Sequence, residues 1–331
     1  MRMMDLGKIS HLDRVRLRDG SDKLKSYYST LIKSDIEKAL HLANDDDLSF
    51  ATLFLLRPLI DESGILSRLN LRNQNALEIS RNLLAKETSR KERLSLDDRQ
   101  LHYPVLKWML ETGRMEDGLS NDYDEVLDMT TLTLIKTHKD KTVLPAVADM
   151  IFDRYRRGLY IYDLVWAFFE ACDPDCLAMV AYRLNSNQLK DVELARKLLN
   201  FIPCISMNSY MNPTSQYACV LNWLQENYPY LYYTGDSFQQ SSNPVPYTVS
   251  LDAKYLCKAL STHNENAPIS LSDEERRLVD RFKTLDSNTR VALSRCSYLL
   301  NRQNKYWWNM WLRSPLQYQI EVARRMVGGL S

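Results

Sequence analysis

From Lys141 to Arg157 the chain repeats its apolar residues every three or four positions, at Leu144, Val147, Ala148, Ile151 and Tyr155, with Asp149, Asp153, Arg156 and Arg157 on the other side. A period near 3.6 lays one apolar stripe along an α-helix, whereas a half-buried strand alternates by two. The helical period runs through most of the sequence and strand-like alternation is nearly missing, so the expected fold is all-α. Composition bears this out where it matters. With 9 glycines and 11 prolines in 331 residues, the chain is poor in the residues that punctuate loop-rich or disordered structure.

Gly158 is placed to stop the helix that begins near Leu144. The next stretch, Leu159 to Ala171, is apolar almost all round its wheel, so it is expected to be the most buried helix. Asp173-Pro174 starts another helix through Leu177, Val180, Ala181 and Leu184. After a short turn at Ser186 and Asn187, Leu189 begins the next, which Pro203 closes. Residues 141–203 thus read as two antiparallel hairpins of about 30 residues each, the size of a solenoid repeat. Residues 173–203, with a proline-started first helix and Asp191, Glu193, Ala195 and Leu199 on the second, resemble a HEAT-type repeat. The resemblance implies stacked hairpins, solenoid-like in the middle of the chain.

The flanking regions are less regular. Residues 1–120 read as an irregular helical region, with a kink or break at Pro58, and 121–226 as the hairpin-repeat region. Residues 227–250 read as an irregular loop dense in aromatics, among them Tyr232 and Tyr233, and are expected to lie pinned against the fold. Residues 251–331 form a C-terminal helical region. There Ser272 to Glu275 fits a capping box, in which a serine oxygen and a glutamate each satisfy an otherwise unpaired backbone amide.

The C-terminal region ends on KYWWNMWLRSPLQYQIEVARRM, residues 305–326, which holds half of the six tryptophans. Placed on one helix from Ser287 to Leu312, Ala292, Leu293, Cys296, Leu299, Leu300, Trp307, Met310 and Trp311 share a stripe. Trp307 and Trp311 are then core, and Trp308 lies about 100° away, facing something else. Ser314-Pro315-Leu316-Gln317 reads as a second capping box. It opens a final helix with Leu316, Ile320, Ala323 and Val327 on its stripe. Trp308 and Leu312 sit at the corner of this Trp-rich hairpin, and Arg313, Arg324 and Arg325 supply its charge. These five residues, with Tyr232 and Tyr233, are the candidate interaction residues, because aromatic and arginine clusters anchor interfaces.

Several kinds of chemistry lack a seat in this sequence. The five histidines are scattered singly, and the six cysteines form no C-x-x-C pair, so reduced thiols are expected. No metal or other cofactor is implied. Asp124-Glu125-Val126-Leu127-Asp128 is similar to the acidic motif of terpenoid synthases, which holds magnesium for a diphosphate, but the second acidic motif of that family is missing. Glycine-rich phosphate loops and nucleophile motifs are missing too. The densest basic runs, Arg154 to Arg157 and Arg90 to Arg93, have acids nearby and read as solvated faces.

Lysine and arginine number 43 against 42 acids, so no chain-wide electrostatic footprint favours nucleic acid. No apolar run is long enough to span a membrane, and no leader segment is evident, which points to the cytoplasm. The expectation is a non-catalytic scaffold or adaptor that binds another protein, with self-assembly through the last two helices as a variant. Nucleic-acid association through arginine-rich faces, and an enzyme with a dispersed site in a helical cavity, are the alternatives.

Overall fold

The computed structural model describes residues 9–85, 96–116, 119–207, 210–260 and 271–328. The basic run Arg90 to Arg93 lies outside them. The structure is predominantly helical, as the periodicity predicts, and its described strands form one two-stranded sheet. No helix among the described residues is long and apolar enough to cross a membrane. The chain divides into two compact units, residues 1–168 and 169–331.

The first unit comprises α1 (His11–Asp19), α2 (Ser21–Ser34), α3 (Ile36–Ala43), α4 (Phe50–Ser63), α5 (Leu71–Leu84), α6 (Leu96–Gly113), α7 (Asn121–Leu132) and α8 (Leu144–Arg157), with most of α9 (Tyr162–Phe169). Side-chain N-caps explain where many of these begin: Ser10, Asp35, Ser49, Asn70 and Ser120 each accept a hydrogen bond from a first-turn amide. The left-handed Gly158 ends α8 as expected. Pro58 does not break α4, which runs on to Ser63 with the proline itself exposed.

The core of this unit is aromatic. Phe50 stacks on Tyr123 at 5.6 Å, and Phe54 and Trp108 meet the pair edge-on. Each fully buried side chain of this size contributes about 2 kcal/mol. Gly113 makes the packing possible, since a Cβ there would lie 2.7 Å from Tyr123 Oη, which donates to the Gly113 carbonyl.

Two readings of this unit need correction. The helix after Gly158 is Tyr162–Phe169, shorter than Leu159 to Ala171, and Leu159 and Tyr160 are exposed before it starts. Arg154 is not on a solvated face: it is buried and grips Asp128 with two hydrogen bonds of 2.7 and 2.9 Å. That bidentate pair also accounts for one carboxylate of the Asp124 to Asp128 motif.

The second unit holds α10 (Asp175–Tyr182), α11 (Leu189–Leu198), α12 (Pro203–Ser206) and α13 (Pro213–Asn227). These are followed by β1 (Leu231–Tyr233), β2 (Tyr247–Val249), α14 (Leu251–Tyr255), α15 (Asp273–Lys283), α16 (Ser287–Gln303), α17 (Lys305–Arg313) and α18 (Leu316–Gly328). The stretch expected to be irregular therefore contains an antiparallel strand pair, with Leu231 opposite Val249 and Tyr233 opposite Tyr247. Three residues per strand are too few for alternation to show in sequence. The aromatics pin the stretch down as predicted. Tyr233 and Tyr247 are buried, Tyr233 Oη donates to Glu170 at 3.2 Å, and burial pushes the Tyr247 hydroxyl well above its ordinary pKa.

Candidate interaction surface

Around the last five helices the core is built on Tyr255 and Phe282, stacked at 4.4 Å, with Trp311 edge-on to Tyr255 at 6.1 Å. Leu293, Cys296, Leu312 and Ala323 close over them, and Leu316 and Ile320 pack at the edge. The Val327 side chain lies outside the described residues. The Ser272 capping box is present in both halves, with Ser272 Oγ accepting from Glu275 N and Glu275 Oε2 accepting from Ser272 N.

A single residue decides which tryptophan faces this core. Asn304 is extended (φ −158°, ψ 107°), so the helix expected from Ser287 to Leu312 is two helices. Asn304 Oδ1 accepts from the amides of Tyr306 and Trp307 at 2.9 and 3.1 Å and caps α17. The break resets the helical phase. Trp308, Trp311 and Leu312, at i, i+3 and i+4, become the inward face, and Trp311 is 5% exposed. Trp307 and Met310, expected in the core, are 59% and 51% exposed beside Tyr306 at 69%. The assignments of Trp307 and Trp308 are thus exchanged.

Trp308 is held from within. Its Nε1 donates to Ser297 Oγ at 2.7 Å, and the serine hydroxyl donates onward to the Tyr255 carbonyl at 2.6 Å. Leu312 is buried in the same core. Arg313, Arg324 and Arg325 are exposed: Arg313 lies 3.4 Å from Glu274, and Arg325 lies 2.5 Å from Glu321 one turn before it. Tyr232 is half-buried in β1, and Tyr233 is buried. Of the seven candidates, only the three arginines therefore present most of their surface to solvent.

Ser314 does not open the second capping box. Its hydroxyl donates backward to the Trp311 carbonyl at 2.6 Å, and α18 starts at Leu316. The closing residue is Gln319, which the sequence reading missed. It is buried, accepts from Tyr255 Oη at 2.7 Å, and donates to the carbonyls of Leu312 and Ser314 at 3.0 and 2.9 Å. Those carbonyls lie at the end of α17, where no intrahelical donor remains. Gln319 thereby locks the turn between α17 and α18 and fixes which face of α17 looks outward.

A second missed group lies beneath α16. Lys254 is buried, with its ammonium 2.5 Å from Glu226 Oε1, 2.7 Å from Asn227 Oδ1, and over the Tyr298 ring. Burial lowers its pKa, against the opposing pull of the Glu226 hydrogen bond. With both oxygen partners at hydrogen-bond distance, it reads as a brace between α13, α14 and α16. All six cysteines are free thiols, and burial pushes Cys296 up to about 12.

The outcome is an outward ridge on α17 formed by Tyr306, Trp307, Met310 and Arg313. The Tyr306 and Trp307 rings meet edge-on at 6.1 Å. Such side chains can bury large apolar areas against a partner while their polar edges stay hydrogen-bonded. No protein-family model, curated protein or solved structure matches the chain.

Proposed function

We propose that this protein is a non-catalytic interaction module, a scaffold or adaptor that docks another protein on the outward face of α17. The observation that carries this reading is the exposure of Tyr306, Trp307 and Met310 together on one short helix. Contiguous exposed apolar surface is disfavoured in a lone soluble chain, and tryptophan, tyrosine, methionine and arginine are the residues enriched at interface centres. The rigid mounting of α17, through Asn304, Trp308 and Gln319, supports the reading, because a preorganised face loses little entropy on binding. Elsewhere in the same unit α10 and α11 pack together across one short turn, which is compatible with HEAT-like hairpin stacking as the scaffold's architecture. The setting we infer is cytoplasmic, and self-assembly through the last two helices is a variant of the same proposal.

The test is affinity capture from the source cells with the tagged chain and with Trp307→Ala/Met310→Ala, quantified by mass spectrometry with and without nuclease. A stoichiometric protein held by the parent chain and lost by the variant is the expected result. Identical recoveries for the two chains would overturn the reading.

A further inference from the structure

We infer, independently of the interaction reading above, that Cys204 and Cys219 are a redox-sensitive pair: a hydroperoxide oxidises them to a disulfide that staples α12 to α13, and a dithiol reductant reopens it. Antiparallel packing brings the two together. α12 lies against α13, and just before it the Phe201 ring meets the Trp223 ring edge-on at 6.4 Å. Cys204 stands three residues after Phe201 and Cys219 four residues before Trp223, so segments running in opposite directions set the two cysteines opposite each other. Ile202, Ile205 and Val220 are buried beside them and anchor both backbones. The two thiols are half-buried and share a hydrogen bond. Sulfurs at that separation close to about 2.05 Å mainly by side-chain rotation. The other cysteines have different neighbours: Cys172 contacts the Glu170 carbonyl, Cys257 the Ser297 hydroxyl and Cys296 the Met326 sulfur, while Cys176 is buried in the first turn of α10.

The chemistry has an order. Burial, and then the hydrogen bond with Cys219, push the Cys204 thiol up to about 12. Cys204 therefore keeps its proton, and Cys219 is the first nucleophile. Its thiolate attacks one peroxide oxygen, the O–O bond breaks, and Cys219 becomes a sulfenic acid while the leaving hydroxide takes up the thiol proton as water. Oxidation of Cys219 also takes away the thiolate charge that opposes ionisation of Cys204. The Cys204 sulfur then attacks the Cys219 sulfur, the S–O bond breaks, and hydroxide leaves with the Cys204 proton as a second water. Two electrons pass from the two sulfurs to the peroxide. The bond closes the loop 204–219, which carries the exposed Met207 and Tyr210, and stabilises the fold by restricting the unfolded chain.

The experiment treats the folded, reduced full chain with hydrogen peroxide, blocks the remaining thiols with iodoacetamide, and maps cross-linked peptides by mass spectrometry without reductant. The parent chain is expected to lose two of its six free thiols, to yield the Cys204 and Cys219 peptides joined, and to regain both thiols in dithiothreitol. Its thermal midpoint should rise by several degrees on oxidation, and that of Cys219→Ser should not. In Cys204→Ser the Cys219 sulfenic acid has no resolving partner, so dimedone should trap it several-fold more than in the parent. Both substitutions conserve size, and circular dichroism checks that the variants fold.

Retention of all six thiols, a bond between other cysteines such as Cys172 and Cys176, or cross-links between chains alone would overturn the inference. A Cys204–Cys219 bond that leaves the midpoint unchanged would overturn the staple, and equal dimedone trapping in the two chains would overturn the order of attack.

Discussion

A buried polar cluster around Asp13 in the first unit and one around Gln319 in the second are built on opposite principles. In the first unit the centre is a charge. Asp13 accepts hydrogen bonds from the hydroxyls of Ser10, Ser49 and Thr52 and from Ser49 N, while Arg16 donates to Thr52 at 2.8 Å and pairs with Glu116 at 2.9 Å. The cluster that orients α17 in the second unit, apart from the buried Lys254–Glu226 brace, is neutral: the Gln319 amide joins Tyr255 to the end of α17, and the Ser297 hydroxyl joins Tyr255 to Trp308. A buried carboxylate is tolerated when several donors replace its hydration, and it then fixes its surroundings firmly. A neutral amide carries a smaller desolvation cost and works mainly by specifying geometry. The charged cluster thus holds helix starts together, and the neutral one sets the direction in which α17 faces.

The largest effect expected is at Asp13. Asp13→Ala would leave three hydroxyls and one amide without their common acceptor and take away the carboxylate 3.7 Å from the Arg16 guanidinium. Breaking a buried charge network in this way costs about 3–5 kcal/mol. Chemical denaturation gives the total, and hydrogen exchange should localise the loss to α1 and α4. Asp13→Asn sharpens the point: it keeps the shape and removes the charge, and should recover less than half of the loss. Full recovery would show that the cluster depends on shape alone and would erase the contrast between the two clusters.

Gln319→Leu is the matching change in the second unit. It strands Tyr255 Oη and two carbonyls in an apolar core, at about 2–3 kcal/mol. Gln319→Glu should be worse at neutral pH, since a carboxylate would face the carbonyls of Leu312 and Ser314 across about 3 Å. A tolerated glutamate would mean that the turn relaxes and that Gln319 does not aim α17.

How much of this was legible in the sequence depends on how far apart the partners lie. Helix existence, the Ser272 box and the stop at Gly158 rest on residues within one turn of each other, and all were readable. Asn304 was readable as well. It stands among five consecutive polar residues, Asn301 to Lys305, and asparagine is one of the best N-caps. Extending the stripe across that gap put Trp307 inside and Trp308 outside. Gln319 gave no local signal, because Tyr255 is 64 residues away. Arg154 looked like one more residue of a basic run until Asp128, 26 positions earlier, was brought beside it.

Trp308→Phe probes the neutral cluster more gently. It keeps most of the ring's packing and removes the donor to Ser297, whose hydroxyl still reaches the Tyr255 carbonyl. A loss of about 1 kcal/mol is expected. Trp307→Phe, one residue earlier but outside the core, should change stability by less than about 0.5 kcal/mol. Equal losses at the two positions would overturn the assignment of inward and outward faces. Denaturation midpoints of the two variants decide it.

The smallest effect expected is a pH response at the start of α15, where a carboxylate closes the capping box. The hydrogen bond from Lys258 and the amide of Ser272 hold the Glu275 carboxyl below its ordinary pKa, against a small opposing effect of burial. A carboxyl with a depressed folded-state pKa contributes stability that is complete above its unfolded value, near 4.3. That contribution is lost as pH falls through the lower folded value. The pair lies at the surface with both side chains partly exposed, so screening keeps the contribution under about 1 kcal/mol. Hydrogen exchange in the first turn of α15 should therefore loosen below about pH 4. Glu275→Gln can still accept from Ser272 N through its amide oxygen but loses the charge, so it should show a flat response over the same range. The same acid-induced loosening in both chains would place the titrating group elsewhere and leave the capping box as a purely neutral device, like the Gln319 turn it sits beside in the fold of this unit.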